Sequence, residues 1–434
     1  MDRPALARTL SLAQLVLLGV GTIVGAGIYS VIGAVAGLAG RAMWLSMLLS
    51  ALAAGLTALS YAELVSARHR AGAEYQFMRA AFPSWPLLAY LAGFFIVLNC
   101  AATSAAVALS FAGYLRGFAD APGPVVAWLL LAACTLLNIW GIRQSAWAGI
   151  ALITVEVGGL LLVITLGFAR GQPAQALSLP AADQATHVLT GAALVFFAYI
   201  GFEDMTNLSE EARHPARDMP RALLAAVAVT ALLYLLLVWA VLSLLTPQEL
   251  ADSTAPLADA ASRAASWSGP VVRLAALFAT ASTALLVLVS ITRLVFAMAR
   301  EGDFPAFLAR TSRRRQAPWA AALLLFAAAS AMLPLGKVEI AASVSALGIL
   351  VAFCGVHAAV IALRLRPRGP APAFRMPLSV RGVPVVAVLG IAANLLLMTR
   401  FTATVYLVTA ITLALGLVAY AVMRLRKASR RAQA

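Results

Sequence analysis

Charge is what this sequence has least of. Of 434 residues only 11% are Asp, Glu, Lys or Arg and 62% are apolar, where a soluble domain carries about 25% charged residues. That deficit excludes an ordinary water-soluble fold, and the mean hydropathy of +0.92 agrees. Cysteine is scarce: Cys100, Cys134 and Cys354 all fall inside apolar runs and lack metal-ligand spacing, which argues against a disulfide framework or a thiolate metal site. The four histidines are scattered, with no His-x-x-x-His pair, so no metal site and no cofactor are expected. Basic residues outnumber acidic ones by 32 to 17. This excess does not mark a nucleic-acid binder, because the Lys and Arg flank apolar runs and no basic face alternates with aromatics.

Long apolar runs dominate instead. Twelve are long enough to cross a hydrocarbon layer of roughly 30 Å, at 12–37, 42–66, 86–117, 123–141, 146–169, 187–208, 220–245, 270–299, 318–335, 338–364, 383–399 and 402–423. The connections 170–186, 246–269 and 300–317 are among the longer ones. The first two of these are rich in Pro, Gly, Ser and Ala and read as surface loops. Lys and Arg set the orientation. With the N-terminus inside, 25 of the 32 fall on cytoplasmic segments, including Arg143 and the run Arg313-Arg314-Arg315, and seven fall outside. Both termini are then cytoplasmic, in the cell's inner (plasma) membrane. Ala34-Val35-Ala36 mimics a signal-peptide cleavage site, but the apolar stretch before it is too long for a typical h-region.

Two runs are interrupted. The first carries Gly19-Val20-Gly21-Thr22-Ile23-Val24-Gly25-Ala26-Gly27-Ile28-Tyr29, and the sixth carries Phe196-Phe197-Ala198-Tyr199-Ile200-Gly201-Phe202-Glu203. Glycine weakens a helix. Unwound backbone inside a bilayer leaves N–H and C=O groups that lipid cannot satisfy, so such a break persists only where it lines a polar cavity. Matched breaks in two halves of a polytopic chain point to a secondary transporter. An outer half-helix starting near Gly25 aims its free N–H groups and positive dipole end into the cavity, so those of Gly25, Ala26 and Gly27 suit a carboxylate. Thr22 and Ile23 end the inner half-helix beside them. In the sixth run the freed carbonyls of Phe197, Ala198 and Ile200 suit an ammonium. The plainer alternative is that Gly25 and Gly27 only permit close helix packing.

Five strings in order resemble one family. They are "GVGTIVGAGIY" (19–29), "YAELVSARHRAGAEYQFMRAAF" (61–82), "FFAYIGFEDMTNLSEEARHPARDMPRA" (196–222), "TRLVFAMAREGDFPAFLAR" (292–310) and "FRMPLSVRGVP" (374–384). They resemble the amino acid–polyamine–organocation permeases. The resemblance implies an all-α, leucine-transporter-like membrane fold. It would have two inverted repeats of five spans (12–169 and 187–364), broken helices one and six, and two trailing helices (383–423). It implies the same division of carboxylate and ammonium between the breaks. Ala26 departs from members with serine there, and Phe197 falls where relatives place an aromatic gate. A lipid- or core-facing Phe197 is the alternative.

By the same resemblance Asn99, Cys100, Thr103 and Ser104 of span three lie beside the substrate side chain, with Val287 of span eight opposite. None is charged, and a cationic substrate would need a carboxylate or aromatic face to offset desolvation. A neutral amino acid is therefore expected. Interhelical hydrogen bonding is the other use for Asn99 and Ser104.

Glu156, about ten residues into the 146–169 span, is the most informative single residue. A charge near mid-bilayer costs on the order of 3 kcal/mol or more and tends to mark function. By resemblance it replaces a lysine of proton-coupled relatives, with Ser282 and Thr283 of span eight nearby. It reads as a proton carrier, as a cation ligand, or as a structural partner of Arg293. Glu203 reads as part of an inner gate, as a titrating group or as cavity lining. Glu63 is expected to pair with an arginine, and Glu210, Glu211 and Asp218 to form a solvated network. The chain is thus expected to be a secondary carrier of a neutral amino acid, coupled to H+, with a small-molecule substrate and the lipid bilayer as its partners. Exchange or export, or a cationic amino acid or polyamine substrate, are the alternatives. Enzyme chemistry is not expected, since His187 and His357 lack catalytic partners in the sequence.

Overall fold

The computed structural model describes residues 10–67, 73–140, 146–172, 184–209, 212–311, 317–367 and 369–432. Arg143, Glu210, Glu211 and Arg313–Arg315 lie outside the described residues.

The first crossing begins at Ser11, whose hydroxyl and backbone form a reciprocal cap with Gln14. Helix α1 (Leu12–Val24) stops at Gly25, and α2 (Gly27–Ala39) resumes the crossing. Crossings two to five are α3 (Met43–Ala67), α5 (Pro86–Leu115), α6 (Gly123–Trp140) and α7 (Ala146–Arg170), with α4 (Ala73–Ala81) between the second and third. The sixth starts as α8 (Ala185–Val195), tightens into a 3-10 turn over Phe196–Tyr199, extends at Ile200, and continues as 3-10 turns over Glu203–Leu208. Crossing seven is α9 (Pro215–Leu244). The short helices α10 (Pro247–Asp252) and α11 (Pro256–Ala264) follow. Crossings eight to twelve are α12 (Ser268–Arg300), α13 (Trp319–Met332), α14 (Val338–Leu365), α15 (Val385–Met398) and α16 (Ala403–Ala432). A two-stranded hairpin, β1 (Ser379–Val380) with β2 (Val383–Pro384), leads into α15. Among the described residues nine stretches are long and apolar enough to cross a membrane. Three shorter apolar helices, Leu12–Val24, Trp319–Leu335 and Val385–Met398, accompany them. With α1 and α2 as one crossing, these make the expected twelve.

The packing has a hidden exchange symmetry. Crossing three packs on ten and eight on five; one packs on seven and six on two; four packs on eight and nine on three; five packs on seven and ten on two. Each pair becomes the other when every crossing is replaced by the one five positions away. Five is odd, so the exchanged crossings run in opposite directions through the bilayer. This is the inverted-repeat arrangement of the leucine-transporter-like fold.

Two expectations need correction, and one element was not anticipated. The connection 246–269 is not a bare loop: Thr246 and Glu249 cap α10 reciprocally, and α11 buries Leu257, Ala258, Ala260 and Ala261 against the bundle. The segment after α3 contains the helix α4. Asp218 is buried in the first turn of α9 rather than solvated, since an acid there meets the free N–H groups and positive dipole end of the helix.

Candidate functional site

The two breaks touch. A Cβ added at Gly27 would lie 2.8 Å from Ala198 Cα, and one added at Gly201 would lie 2.3 Å from the Thr22 carbonyl oxygen. Gly201 also has φ +125, a conformation that side chains resist. Glycine is required at both positions for one unwound segment to lie against the other.

The backbone groups freed at the breaks are partly engaged. The Gly25 N–H still donates to Gly21 O at 3.2 Å, and the Ala26 N–H donates to Thr283 Oγ1 at 3.0 Å. The first turn of α2 has no side-chain cap, and its first internal bond runs from Ser30 N to Ala26 O. The free donors are therefore those of Gly27, Ile28 and Tyr29, which shifts the expected set two residues along the chain. On the acceptor side, the Ala198 carbonyl takes the Tyr234 hydroxyl at 2.9 Å, and the Phe197 carbonyl has a long 3.4 Å contact from Ile200 N. The carbonyls of Phe197 and Ile200 stay open enough to accept from an ammonium. Phe197 itself is buried. Thr22 is exposed, with its hydroxyl on Gly19 O, while Ile23 is buried.

Tyr234 of α9 was not anticipated. Its hydroxyl lies 2.9 Å from Ala198 O, 3.2 Å from Ile23 O and 3.4 Å from Val24 O. One phenol proton thus sits where carbonyls from both breaks converge. Tyr29 was also missed as a bridge. Its hydroxyl donates to the Glu156 carbonyl at 2.7 Å, and its own carbonyl accepts from Tyr114 at 3.0 Å. A tyrosine inside an apolar run carries no periodic signal, so neither could be singled out from sequence.

Glu156 is buried, and Ser282 donates to its Oε1 at 2.6 Å. Thr283, the next residue, is turned to the break in crossing one. Span eight therefore bridges the carboxylate and the first break through adjacent hydroxyls. Arg293 is exposed, and no ion pair joins it to Glu156 among the described residues.

In span three the Asn99 Oδ1 accepts from Thr103 at 3.3 Å and from Ser345 of α14 at 2.5 Å, and Ser104 donates to the Cys100 carbonyl at 2.8 Å. Asn99 and Thr103 thus serve the interhelical role, and Ser345 is a partner the sequence did not disclose. Cys100 is half-buried. Val287 is half-buried on α12.

On the side of the bilayer that carries the termini, Glu203 Oε2 accepts from the Gly201 N–H at 2.9 Å. Glu203, Asp204 and Glu74 of α4 are electrostatic neighbours of one another and of Cys100. Glu74 accepts a short hydrogen bond from Tyr61. Burial pushes the Glu74 carboxyl above the usual carboxylate range, and the bond from Tyr61 only partly offsets this. Nearby, the Tyr75 hydroxyl donates its one proton to Asp303 Oδ2 at 2.5 Å with Glu301 Oε2 at 2.8 Å sharing it, and Arg79 pairs with Glu301. Glu63 pairs with Arg364 through Nε–Oε1 at 2.6 Å and Nη2–Oε2 at 2.5 Å and also accepts from Met376 N, as expected of it.

Residues 10–423 match the family described as amino acid permease. The chain is 32% identical to an uncharacterized transporter of Mycobacterium tuberculosis, over 89% of this chain and 91% of that one. It is 32% identical to cationic amino acid transporter 4 of Homo sapiens, over 86% of this chain and 63% of that one. It is 28% identical to the branched-chain amino acid permease BcaP of Bacillus subtilis, over 96% of this chain and 93% of that one.

Proposed function

This chain belongs to the amino acid permease family, a multi-pass membrane transporter of amino acids and not an enzyme, and on that premise we propose a neutral amino acid as its substrate and H+ as its coupling ion. The amino acid lies between the breaks. Its carboxylate meets the N–H groups of Gly27, Ile28 and Tyr29, and its ammonium meets the carbonyls of Phe197 and Ile200. One observation carries the coupling: the buried Glu156–Ser282 contact stands one residue from the Thr283–Ala26 contact. A change of protonation at Glu156 therefore reaches the substrate's binding segment through adjacent hydroxyls. The protein sits in the inner membrane with both termini cytoplasmic. Residues 12–169 and 187–364 form the two repeats, 383–423 trail them, and crossings one, two, six and seven rock against three, four, five and eight.

The test is uptake of labelled amino acids into proteoliposomes under an imposed pH gradient. Glu156→Gln holds the neutral form permanently, so substrate binding and exchange persist while accumulation driven by the gradient disappears, and sodium has no effect on either protein. Accumulation by Glu156→Gln on the pH gradient alone overturns the assignment. Strict sodium dependence of the unaltered protein makes Glu156 a cation ligand instead.

A cationic amino acid is the second reading, and a specific observation favours it. Glu74, Glu203 and Asp204 gather beside Cys100, and none forms an ion pair with Arg or Lys among the described residues. Such a group supplies the carboxylates that spans three and eight lack, and one relative is named a cationic amino acid transporter. Competition decides: displacement of labelled substrate by leucine but not arginine keeps the neutral reading, and the reverse replaces it.

A further inference from the structure

Facing away from the termini, a cavity of about 330 Å³ lies between the ends of α2, α8, α10 and α14 and the turn into α16. Its walls are mostly apolar, with Leu38, Leu194, Ile340, Phe401 and Val405 among them. Arg400 also lines it, and the Nε of that guanidinium is buried without an acceptor. A buried N–H without a partner is costly and calls for one. Glu339 lines the same cavity, yet it forms no ion pair with Arg400 among the described residues. The first turn of α14 borders the space as well, and its N-cap, Lys337, is exposed and supplies no side-chain cap.

We propose that this cavity is a site for an anionic phospholipid of the leaflet facing away from the termini. Arg400 and the open N-terminus of α14 hold the headgroup phosphate, and the apolar walls take the start of an acyl chain. Three features select this occupant. Arg400 offsets Glu339 in the lining, and the helix end with Lys337 at its cap adds positive potential, so the site favours an anion. Glu339, Ile340, Arg400, Phe401 and Thr402 come from the ends of crossings, at the depth where headgroup meets chain, and Leu194, at the break end of α8, continues the apolar wall inward. The walls are apolar enough that a small soluble anion would leave most of them uncovered. The site also has a consequence for transport. The outer half-helices of both broken crossings, α2 and α8, form one wall, and α14 with the turn into α16 forms the other. A bound lipid bridges them and resists their separation.

The experiment counts lipids retained by the purified protein from nanodiscs of phosphatidylcholine with or without phosphatidylglycerol, using native mass spectrometry. Unaltered protein should retain phosphatidylglycerol in preference to phosphatidylcholine. Arg400→Gln should weaken that retention about fivefold, the weight of one arginine contact with an anionic surface, while Arg424→Gln on the opposite side should not. Leu38→Trp, which fills the cavity and keeps the arginine, should also remove the retained lipid and serves if Arg400→Gln does not fold. Equal retention of the two lipids overturns the proposal. So does unchanged retention in the folded Arg400→Gln or Leu38→Trp protein, or displacement of the lipid by a soluble zwitterion such as leucine.

Discussion

At the scale of single residues, hydroxyl groups do the joining. Tyr234 has one proton and three carbonyls within reach, two from the end of α1 and one from the break in crossing six. Removing it leaves buried acceptors without a donor, at about 1–3 kcal/mol. Tyr234→Phe is therefore expected to weaken substrate binding roughly tenfold, read by radioligand binding on the purified protein. Tyr90→Phe is the control, because its hydroxyl also donates to a buried carbonyl, Gly416 O at 2.6 Å, but far from the breaks. Equal losses in the two variants would mean that Tyr234 is only another interhelical bond. His357 follows the same accounting. The Thr57 hydroxyl donates to Ala53 O, so towards Nε2 at 3.3 Å it can only accept, and Nδ1 then accepts from Ser60 at 2.7 Å. The ring is fully satisfied as the neutral Nε2–H tautomer, which is how a histidine can sit in an apolar bundle.

At the scale of elements, the breaks were legible because a bilayer penalises them. Close packing alone could explain Gly25 and Gly27, but the matching break around Gly201 weakens that alternative, and Glu156 is legible because a charge in the bilayer is costly. Segments outside the membrane escape that constraint. Helix α4 carries a weak signal because its apolar residues are interspersed with Glu74, Gln76 and Arg79, and the 246–269 connection reads as loop by composition although Thr246-Pro-Gln-Glu249 is a capping box. The free N–H groups lie two residues beyond the expected ones because the Gly25 N–H keeps its helical bond to Gly21 O and sequence could not show that Thr283 would reach Ala26. Helix α4 itself gives a pH prediction. The fold raises the Glu74 carboxyl's pKa, so the folded state favours its protonated form. Its contribution to stability is full below the unfolded value and is lost as pH rises through the raised one. Hydrogen exchange at 73–81 should accelerate with rising pH beyond the intrinsic base catalysis, and Glu74→Gln should abolish the excess. Identical pH profiles in the two proteins would show that Glu74 does not titrate in holding α4.

At the scale of the whole molecule, the exchange of each crossing with the one five away divides the bundle along a seam. Among the described residues the polar contacts between crossings one, two, six and seven and crossings three, four, five and eight include Ala26 with Thr283, Tyr29 with Glu156, Tyr114 with Tyr29, and Ser243 with Gly167. Each is a single hydrogen bond to backbone, worth about 1 kcal/mol net, so the seam can shear without large cost. One close approach on the termini side is at Gly21 of α1, where an added Cβ would lie 2.3 Å from the Ile153 side chain of α7. That proximity brings paired cysteines near the Cβ separation of a disulfide. Gly21→Cys with Ile153→Cys, in a background lacking Cys100, Cys134 and Cys354, should transport when reduced. Oxidation should arrest the cycle, fastening α1 to α7, while substrate still binds from the opposite side. Reduction should restore transport, which separates a lock from damage. If the oxidised and demonstrably cross-linked protein transports at the reduced rate, α1 does not move against α7. The substrate must then pass by some motion other than rocking along this seam.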